Sequence, residues 1–147
     1  MPKRILGFTG TRDGLTDAQR RSLKDVVRAL DPAKVHHGDC WGADAEFDKI
    51  CAQRGVHRTA WPGTNAAGES PTRAYCDADI IHRAMPYLRR DRIIAESGVD
   101  GLIACPNSPK ERMRSGTWAT VRMARKLGRG ITIINPDGSI VYEESRR

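Results

Sequence analysis

The sequence predicts an α/β domain of the Rossmann-like type, with three layers and a mainly parallel sheet of about five strands. Short apolar runs alternate along the chain with segments whose apolar residues repeat at helical spacing. This alternation is typical of a parallel sheet that helices cover on both faces. The run Leu102–Cys105 is almost wholly apolar, as expected for a strand that is buried on both faces. We therefore expect residues 1–147 to form one domain.

The amino-terminal half alternates short strands with two helices. Thr16 is predicted to cap the first helix, along which Leu23 and Val27 repeat at helical spacing until Pro32 ends it. Gly55 suits the left-handed turn that closes the second helix. We predict strands over 4–8, 34–37 and 56–61, and helices over 17–31 and 44–54.

The carboxyl-terminal half begins with an irregular insertion at 62–80. Its first part is rich in Gly, Pro, Ser and Thr and lacks periodicity, which predicts a long loop that is either disordered or functional, as a lid or as an interface. A helical stretch is predicted next, and Pro86 divides it and begins a new helix that runs to Ser97. The remaining predictions are a strand over 102–105, a helix over 116–127, a strand over 131–134, a turn at 137–138 and a last hairpin strand over 139–142.

The charge balance predicts an anionic partner. The net charge is +7, and 19 of the 25 basic residues are arginines. Arginine grips phosphate and carboxylate groups through paired hydrogen bonds, although a GC-rich genome produces the same bias. The aromatic residues are few and scattered, so no base-stacking platform is visible. A nucleotide-like small molecule and a nucleic acid therefore both stay open as partners.

Other classes of protein are disfavoured. No apolar run approaches the roughly 18 residues that a membrane helix needs, so we expect no membrane association and a cytoplasmic protein. The four cysteines are widely and irregularly spaced, which indicates free thiols. The histidines do not have the spacing of metal ligands either. We expect no metal and no cofactor.

Three predicted strand-to-helix loops should meet at one edge of the sheet. Ligands of parallel sheets bind outside the carboxyl ends of the strands, where the strand order reverses. Each of these loops combines glycine with hydroxyl, acidic or basic residues. The candidate ligand-binding residues are Thr9, Gly10, Thr11 and Arg12 in the first loop, Gly38, Asp39, Trp41, Gly42, Ala43 and Asp44 in the second, and Arg114, Ser115, Gly116 and Thr117 in the third.

The third loop is the strongest candidate for a phosphate site. A helix N-terminus presents unpaired N–H groups and partial positive charge, and Gly116 would let a ligand approach the backbone closely. Arg114 and Arg12 would add charge-assisted hydrogen bonds. For each loop alone, glycines that merely form tight turns are the alternative. The P-loop motif and G-x-G-x-x-G are both missing, which excludes a P-loop enzyme and counts against ordinary NAD binding.

Four motifs in chain order resemble the SLOG superfamily: GFTGTR, HGDCWGAD, RRDRIIAESGVDGLIACP and SGTWATVRMARKLGRGITII. This Rossmann-like group includes the LOG phosphoribohydrolases and DprA, and the chain most resembles its small YspA-like branch of bacteria and phages. The resemblance covers nearly the whole chain except the 62–80 insertion. It implies a three-layer fold that binds nucleotides or their derivatives at the sheet edge described above.

The resemblance leaves three functions open. The first is binding of a nucleotide or nucleotide-derived ligand, with phosphate at 9–12 and 115–117 and sugar at 38–44. The second is removal of the base from a nucleoside 5′-monophosphate, as LOG enzymes do. The third is binding of single-stranded DNA, as DprA does. Related proteins are often dimers or larger, so a homo-oligomer is open as well.

Whether the chain is an enzyme depends on a carboxylate beside the sugar, which hydrolysis of an N-glycosidic bond needs. LOG enzymes supply it from P-G-G-x-G-T-x-x-E. Residues Gly116 and Thr117 match the glycine-threonine pair, but Thr120 stands at the glutamate position. The resemblance makes Arg90 the counterpart of the catalytic arginine, while Asp39 and Asp44 are acids that would replace the glutamate.

Several of these residues have a structural alternative. Asp44 stands at a predicted helix start, where its favoured role is an N-cap. Asp39 is favoured as an acceptor for ribose hydroxyls, and Trp41 would either stack on a base or close the loop over the core. Arg90 would either contact phosphate or sugar or belong to a solvated helix face.

Overall fold

The computed structural model describes residues 3–146 and confirms the predicted α/β fold with three layers. The helices are α1 (Asp17–Leu30), α2 (Ala43–Gln53), α3 (Tyr87–Ser97) and α4 (Gly116–Lys126). The strands are β1 (Ile5–Gly10), β2 (Lys34–His37), β3 (His57–Ala60), β4 (Gly63–Thr64), β5 (Ile80–Ile81), β6 (Met85–Pro86), β7 (Leu102–Cys105), β8 (Ile131–Ile134) and β9 (Ile140–Glu143). None of the helices among these residues is long and apolar enough to cross a membrane.

The main sheet has seven strands in the order β5-β3-β2-β1-β7-β8-β9. All neighbouring strands are parallel except β8 and β9, which form the predicted carboxyl-terminal hairpin. The chain moves outward from β1 through β2 and β3, then returns through α3 to β7 on the other side of β1. The strand order therefore reverses between β1 and β7, and a crevice is expected at their carboxyl ends.

Two apolar layers hold the helices against the sheet. Val27 of α1 and Phe47 of α2 belong to the layer on one face, while Ile94 of α3 and Trp118 of α4 belong to the layer on the other. Strand β7 contributes to both layers because successive side chains of a strand point to opposite faces. This explains why its sequence is apolar throughout.

Helix α1 has the amino-terminal cap that the sequence predicts. Thr16 Oγ1 accepts from the Gln19 N–H at 3.0 Å, and the Gln19 side chain accepts from the Thr16 N–H at 3.1 Å. The buried Gln19 amide also donates to the main-chain oxygens of Pro106 at 2.8 Å and Ile134 at 3.0 Å. The cap therefore fixes the start of the loop that follows β7.

The helical stretch predicted before Pro86 is wrong. The chain is extended there: Ile80–Ile81 pairs with β3, and Met85–Pro86 pairs with Gly63–Thr64 in a separate two-stranded ladder. The β-branched isoleucines fit an edge strand better than a helix, and each is about half exposed. The helix that Pro86 was predicted to begin is present as Tyr87–Ser97.

Candidate functional site

A cavity of about 500 Å³ opens at the carboxyl ends of β1 and β7, where the strand order reverses. Its walls come from the loops after β1, β2 and β7 and from α3. Eleven of the predicted site residues line it: Thr9, Gly10, Thr11, Arg12, Gly38, Asp44, Arg90, Arg114, Ser115, Gly116 and Thr117. Four others, Asp39, Trp41, Gly42 and Ala43, are not part of its lining.

Main-chain hydrogen bonds tie the first loop to its neighbours. The Thr11 N–H donates to Cys105 O at 3.0 Å, and Thr11 O accepts from the Ala43 N–H at 2.9 Å. Gly42 has φ 79°, and a side chain there would meet Arg12 O at 2.5 Å. Gly42 therefore lets the first and second loops pack together. This role is structural and differs from the predicted one, in which Gly42 lets a ligand approach the backbone.

Helix α4 directs its amino-terminal end into the cavity. Ser115 caps the helix by accepting from the Trp118 N–H at 3.3 Å. A Cβ placed on Gly116 would have no neighbour within 4 Å, so the backbone is open to the cavity at this point. The first N–H groups of a helix lack partners within it and carry partial positive charge. This end of the cavity is therefore suited to an anion.

Three arginines contribute to the cavity walls. Arg12, Arg112 and Arg114 all line it, and none of them forms an ion pair with another residue in the 3–146 range. The loop that carries Arg112 is held to α4, because Arg122 donates to Arg112 O and also pairs with Glu111. Uncompensated positive charge on a fixed loop favours a bound anion.

Arg90 lies buried on the cavity wall, not on a solvated helix face. Its Nη1 donates to Gly38 O at 2.6 Å and to Trp61 O at 3.1 Å, and its Nε donates to Asp91 Oδ1 at 2.7 Å. Burial by itself would lower the pKa of Arg90, but the carboxylates of Asp91 and Asp44 outweigh burial and raise it. The guanidinium is therefore a permanent charge in this wall.

Gly38 is required by this arginine. A Cβ at residue 38 would lie 2.5 Å from Arg90 Nη1 and 3.0 Å from Asp44 Oδ2. No side chain can share that space with the guanidinium. The glycine predicted to admit a ligand instead admits Arg90, which in turn lines the cavity.

Asp44 is not the N-cap of α2, which corrects the favoured expectation. Gly42 occupies the cap position, and Asp44 lies one residue inside the helix. Its Oδ2 accepts from the Cys40 N–H at 3.1 Å, whereas its Oδ1 is buried without a hydrogen-bond partner among the described residues. Burial raises the pKa of this carboxyl group.

Asp91 is a cavity residue that the sequence analysis missed. Its carboxyl group is buried beside Arg90 and near Thr120, whose hydroxyl donates to Gly116 O at 3.0 Å. Burial raises the pKa of Asp91, although Arg90 and Thr120 oppose that rise. One signal was present: Asp91 lies three residues before Ile94 and therefore shares its buried helix face.

Asp39 points away from the cavity and holds the 62–80 insertion. It has φ 55°, and its carboxylate accepts from Arg73 Nε at 3.1 Å and from the Cys76 N–H at 2.8 Å. The Trp41 N–H donates to Thr72 O at 2.8 Å. The insertion is thus bonded to the second loop, and it contributes Thr72 to the cavity wall.

The side chain of Trp41 is 55% exposed. The alternative in which it closes the loop over the core is therefore wrong. It does not line the cavity either.

His37, Asp48 and Cys76 bring potential metal ligands within 4.8 Å of one another. His37 Nδ1 accepts from the Asp39 N–H at 3.1 Å, so the ring proton is on Nε2, which donates to Asp48 at 2.8 Å. Arg58 donates to the other Asp48 oxygen at 2.7 Å, so each oxygen of this carboxylate has a donor. A metal would have to displace this proton, so these contacts suit a structural hydrogen-bond network better than a metal site.

A scan of protein-family models found no match for this chain, and neither did a search of curated proteins. Solved structures do match. The molybdenum cofactor binding protein from the phototrophic bacterium Rippkaea orientalis is 18% identical, with a TM-score of 0.66 over 92% of this chain and 78% of that chain. The molybdenum cofactor carrier protein from Chlamydomonas reinhardtii is 21% identical, with a TM-score of 0.59 over 89% of this chain and 76% of that chain.

DNA processing protein A (DprA) from Streptococcus pneumoniae is also similar. It is 23% identical, with a TM-score of 0.66 over 90% of this chain and 50% of that chain, so this chain spans half of the DprA structure. At these identities the likeness concerns the fold. It confirms the fold that the SLOG resemblance implies.

Proposed function

We propose that this chain, which has the fold of the SLOG superfamily, binds a nucleotide or nucleotide-derived ligand in the cavity at the carboxyl edge of its sheet. The observation that carries the proposal is one cavity of about 500 Å³ whose walls include the amino-terminal end of α4 and three arginines that form no ion pair among residues 3–146. Its volume lies within the range typical of small-molecule sites. We also propose that the chain belongs to the YspA-like branch and comes from a bacterium or a phage. In the same proposal the protein is cytoplasmic and self-associates.

The ligand's phosphate would lie between residues 9–12 and 115–117. Helix N–H groups and free guanidinium groups are the donors that phosphate oxygens accept best. Thr9, Thr11 and Thr117 line the same region and add hydroxyl donors. The rest of the ligand would extend toward Arg90 and Gly38 along the wall that α3 forms.

A melting-temperature screen against nucleotides, cyclic dinucleotides and ADP-ribose derivatives tests this proposal. A ligand at 100 times its dissociation constant adds about 2.7 kcal/mol, which corresponds to a rise of roughly 5–10 °C for a chain of this length. Substituting both Arg112 and Arg114 by alanine should abolish the rise. Arg92→Ala is the matched control, since that arginine is exposed and pairs with Glu96.

Two outcomes would contradict the proposal. Either every compound in the panel would leave the melting temperature unchanged, or a hit would bind the double variant as tightly as it binds the wild type.

A second function, hydrolysis of the N-glycosidic bond of a nucleoside 5′-monophosphate, is supported by two buried carboxyl groups in the cavity. Asp44 and Asp91 flank the Arg90 guanidinium there. A carboxylate at this place would stabilise positive charge on the ribose or activate water, a role that Thr120 cannot take. Free base should then appear when the protein is incubated with nucleoside monophosphates, and Asp91→Asn should stop its release.

Binding of single-stranded DNA is tested separately. Trp41 and Tyr75 are exposed, and Arg73 lies over the Tyr75 ring at 4.4 Å, an arrangement that suits base stacking. The affinity for an oligonucleotide should fall steeply with salt if phosphates are bound. An affinity that does not change with salt argues against this function.

A further inference from the structure

Strand β9 is an open edge of the main sheet. It is the last strand on its side, and it pairs with β8 along its inner side. The tail that follows it turns back toward the segment before β8, where the Ser145 hydroxyl and the Arg146 N–H both donate to Gly128 O at 3.0 Å. Among residues 3–146, no strand pairs with the outer side of β9.

The main chain of β9 offers hydrogen-bonding groups along this outer side. Opposite residues of an antiparallel ladder alternate between pairs that are bonded to each other and pairs whose N–H and C=O groups point outward. The Asn135 N–H donates to Ser139 O at 2.8 Å, so the next bonded pair along the ladder contains Val141. Ile140 and Tyr142 therefore direct their main-chain groups away from β8.

The side chains of β9 form an exposed apolar strip. Ile140 and Val141 are each 49% exposed, and Tyr142 is 62% exposed. Glu143, the charged residue of the strand, pairs with Arg125 at 2.8 Å and adds no free charge. Proteins usually protect an edge strand with a lysine, a proline or a bulge, and residues 140–143 contain none of them.

The opposite edge of the sheet has the protection that β9 lacks. Strand β5 consists of only two residues, Ile80 and Ile81. Asp79 precedes it and accepts from the Arg58 N–H at 2.9 Å, and Arg83 follows two residues after the strand. A very short edge strand with charged neighbours resists pairing with another chain. An open apolar edge such as β9 is instead a place where a further strand adds to the sheet.

We propose that β9 pairs with β9 of a second copy of this chain, so that the two seven-stranded sheets join into one continuous sheet. The pairing is antiparallel about a twofold axis through Val141. This axis sets the outward main-chain groups of Ile140 opposite those of Tyr142 in the other copy. The inference names the surface for the self-association proposed above, and it does not depend on the ligand.

The strand is complementary to itself in this register. Ile140 and Tyr142 lie on one face of the sheet, and a β-branched residue opposite an aromatic residue is a favourable cross-strand pair that the twofold axis forms twice. The two Val141 side chains meet on the other face. Glu143 lies opposite Ser139 of the other copy, so no like charges face each other between the paired residues.

Sedimentation velocity over a series of protein concentrations tests the pairing. A four-residue strip is a small interface, so the wild type should change from monomer to dimer as the concentration rises, with a weak dissociation constant. Val141→Lys places a charge at the centre of the strip and should raise that constant about tenfold or more. Ile80→Lys is the matched control, because this isoleucine is 44% exposed on the opposite edge. It should leave the dissociation constant unchanged.

Val141→Cys tests the register. Residues opposite each other in a non-bonded antiparallel pair have Cα atoms about 4.5 Å apart, a separation that a disulfide can span. Mild oxidation should therefore link two copies of Val141→Cys. Ile80→Cys is the control and should give no more linked dimer than the wild type, whose own four cysteines are also present in both variants.

The possible failures point to different errors. A wild type that stays monomeric throughout the series overturns the inference and leaves the open edge to a strand of another protein. A dimer that Val141→Lys does not weaken overturns β9 as its surface. A dimer that Val141→Lys weakens but Val141→Cys does not link overturns the register. None of these results changes the melting-temperature screen, which tests ligand binding separately. The wild-type series and the cysteine variant decide the question even where Val141→Lys does not fold.

Discussion

Arg90 Nη1 donates to the main-chain oxygen of Gly38 at 2.6 Å, which joins helix α3 to the loop that follows β2. The same nitrogen also reaches Trp61 O, and Nε holds Asp91. One buried guanidinium therefore fixes two loop carbonyls and one carboxylate of the cavity wall.

Removing this guanidinium should destabilise the protein strongly. Arg90→Ala leaves a buried carboxylate and two buried carbonyls without their donor, and breaking a buried ion pair in this way costs about 3–5 kcal/mol. Arg90→Lys keeps the charge but cannot reproduce three separated hydrogen bonds, so we expect an intermediate loss. Urea unfolding at neutral pH measures both free energies.

The neighbouring arginine provides the control. Arg89 is exposed on the same helix, and Arg89→Ala should change the free energy of unfolding by no more than about 0.5 kcal/mol. Equal losses for Arg89→Ala and Arg90→Ala would show that the contacts of Arg90 do not stabilise the fold.

Gly116→Ala should separate ligand binding from stability. A methyl group at residue 116 meets no protein atom within 4 Å, and alanine is the better helix former by up to about 1 kcal/mol. The unliganded variant should therefore be at least as stable as the wild type. Its methyl group would project into the space proposed for phosphate, so its affinity for a nucleotide hit from the screen should fall about tenfold or more.

Gly42→Ala should behave in the opposite way. The φ of 79° and the approach to Arg12 O at 2.5 Å make any side chain strained at residue 42. We expect a loss of about 1–3 kcal/mol in the free energy of unfolding. Suppose that Gly42→Ala is destabilised as expected but Gly116→Ala keeps the ligand affinity of the wild type. The phosphate site would then not lie at the amino-terminal end of α4.

Asp48 should make the protein sensitive to acid. Burial alone would raise its pKa, but the hydrogen bond from His37 and the charge of Arg58 lower it below the ordinary value of 3.8. A lowered folded-state pKa contributes stability that is complete above 3.8 and is lost as the pH falls through the folded value. Asp48→Asn should cost about 3 kcal/mol at pH 7 and progressively less below pH 3.8.

The exposed pair of Asp25 and Arg28 is the matched control for this prediction. Asp25→Asn should cost less than about 1 kcal/mol at every pH, because both members of this pair are solvated. The free energy of unfolding that Asp48→Asn loses relative to the wild type should therefore shrink in acid. A loss that stays constant down to the acid transition would contradict the role assigned to the Asp48 charge.

The sequence predicted the parts of the fold that periodicity encodes. The apolar run of β7, the Thr16 cap and the helix after Pro86 all have local signals, and each is present in the structure. The extended pairing of Ile80–Ile81 had no periodic signal beyond its two β-branched residues, because an edge strand of two residues depends on the neighbouring strand β3. Tertiary pairing decided the conformation there.

The sequence predicted where the candidate site lies, but not which way each of its side chains points. Gly116 and Arg90 lie on the cavity as expected, whereas Asp39 has a left-handed backbone that turns its carboxylate toward Arg73. Sequence spacing cannot show which of two acids in one loop, Asp39 or Asp44, faces a cavity. That choice depends on Arg73, which lies 34 residues away in the chain.

Asp44→Asn should stabilise the unliganded protein. Burial raises the folded-state pKa of Asp44 above its ordinary value of 3.8. The folded state therefore retains a proton that the unfolded state releases, and its stability falls as the pH rises from 3.8 through the raised value. Asparagine resembles the neutral acid and escapes this loss.

The two proteins should accordingly be equally stable well below pH 3.8, with the variant more stable at pH 7. A gain of about 1 kcal/mol would raise the melting temperature by roughly 2–4 °C. Thermal unfolding across this pH range measures the difference, with Asp25→Asn again as the exposed control. Such a gain would show that the wild-type charge of Asp44 costs stability in the unliganded protein. A variant less stable than the wild type at pH 7 would instead make Asp44 a structural residue, whose charge supports the Arg90 wall.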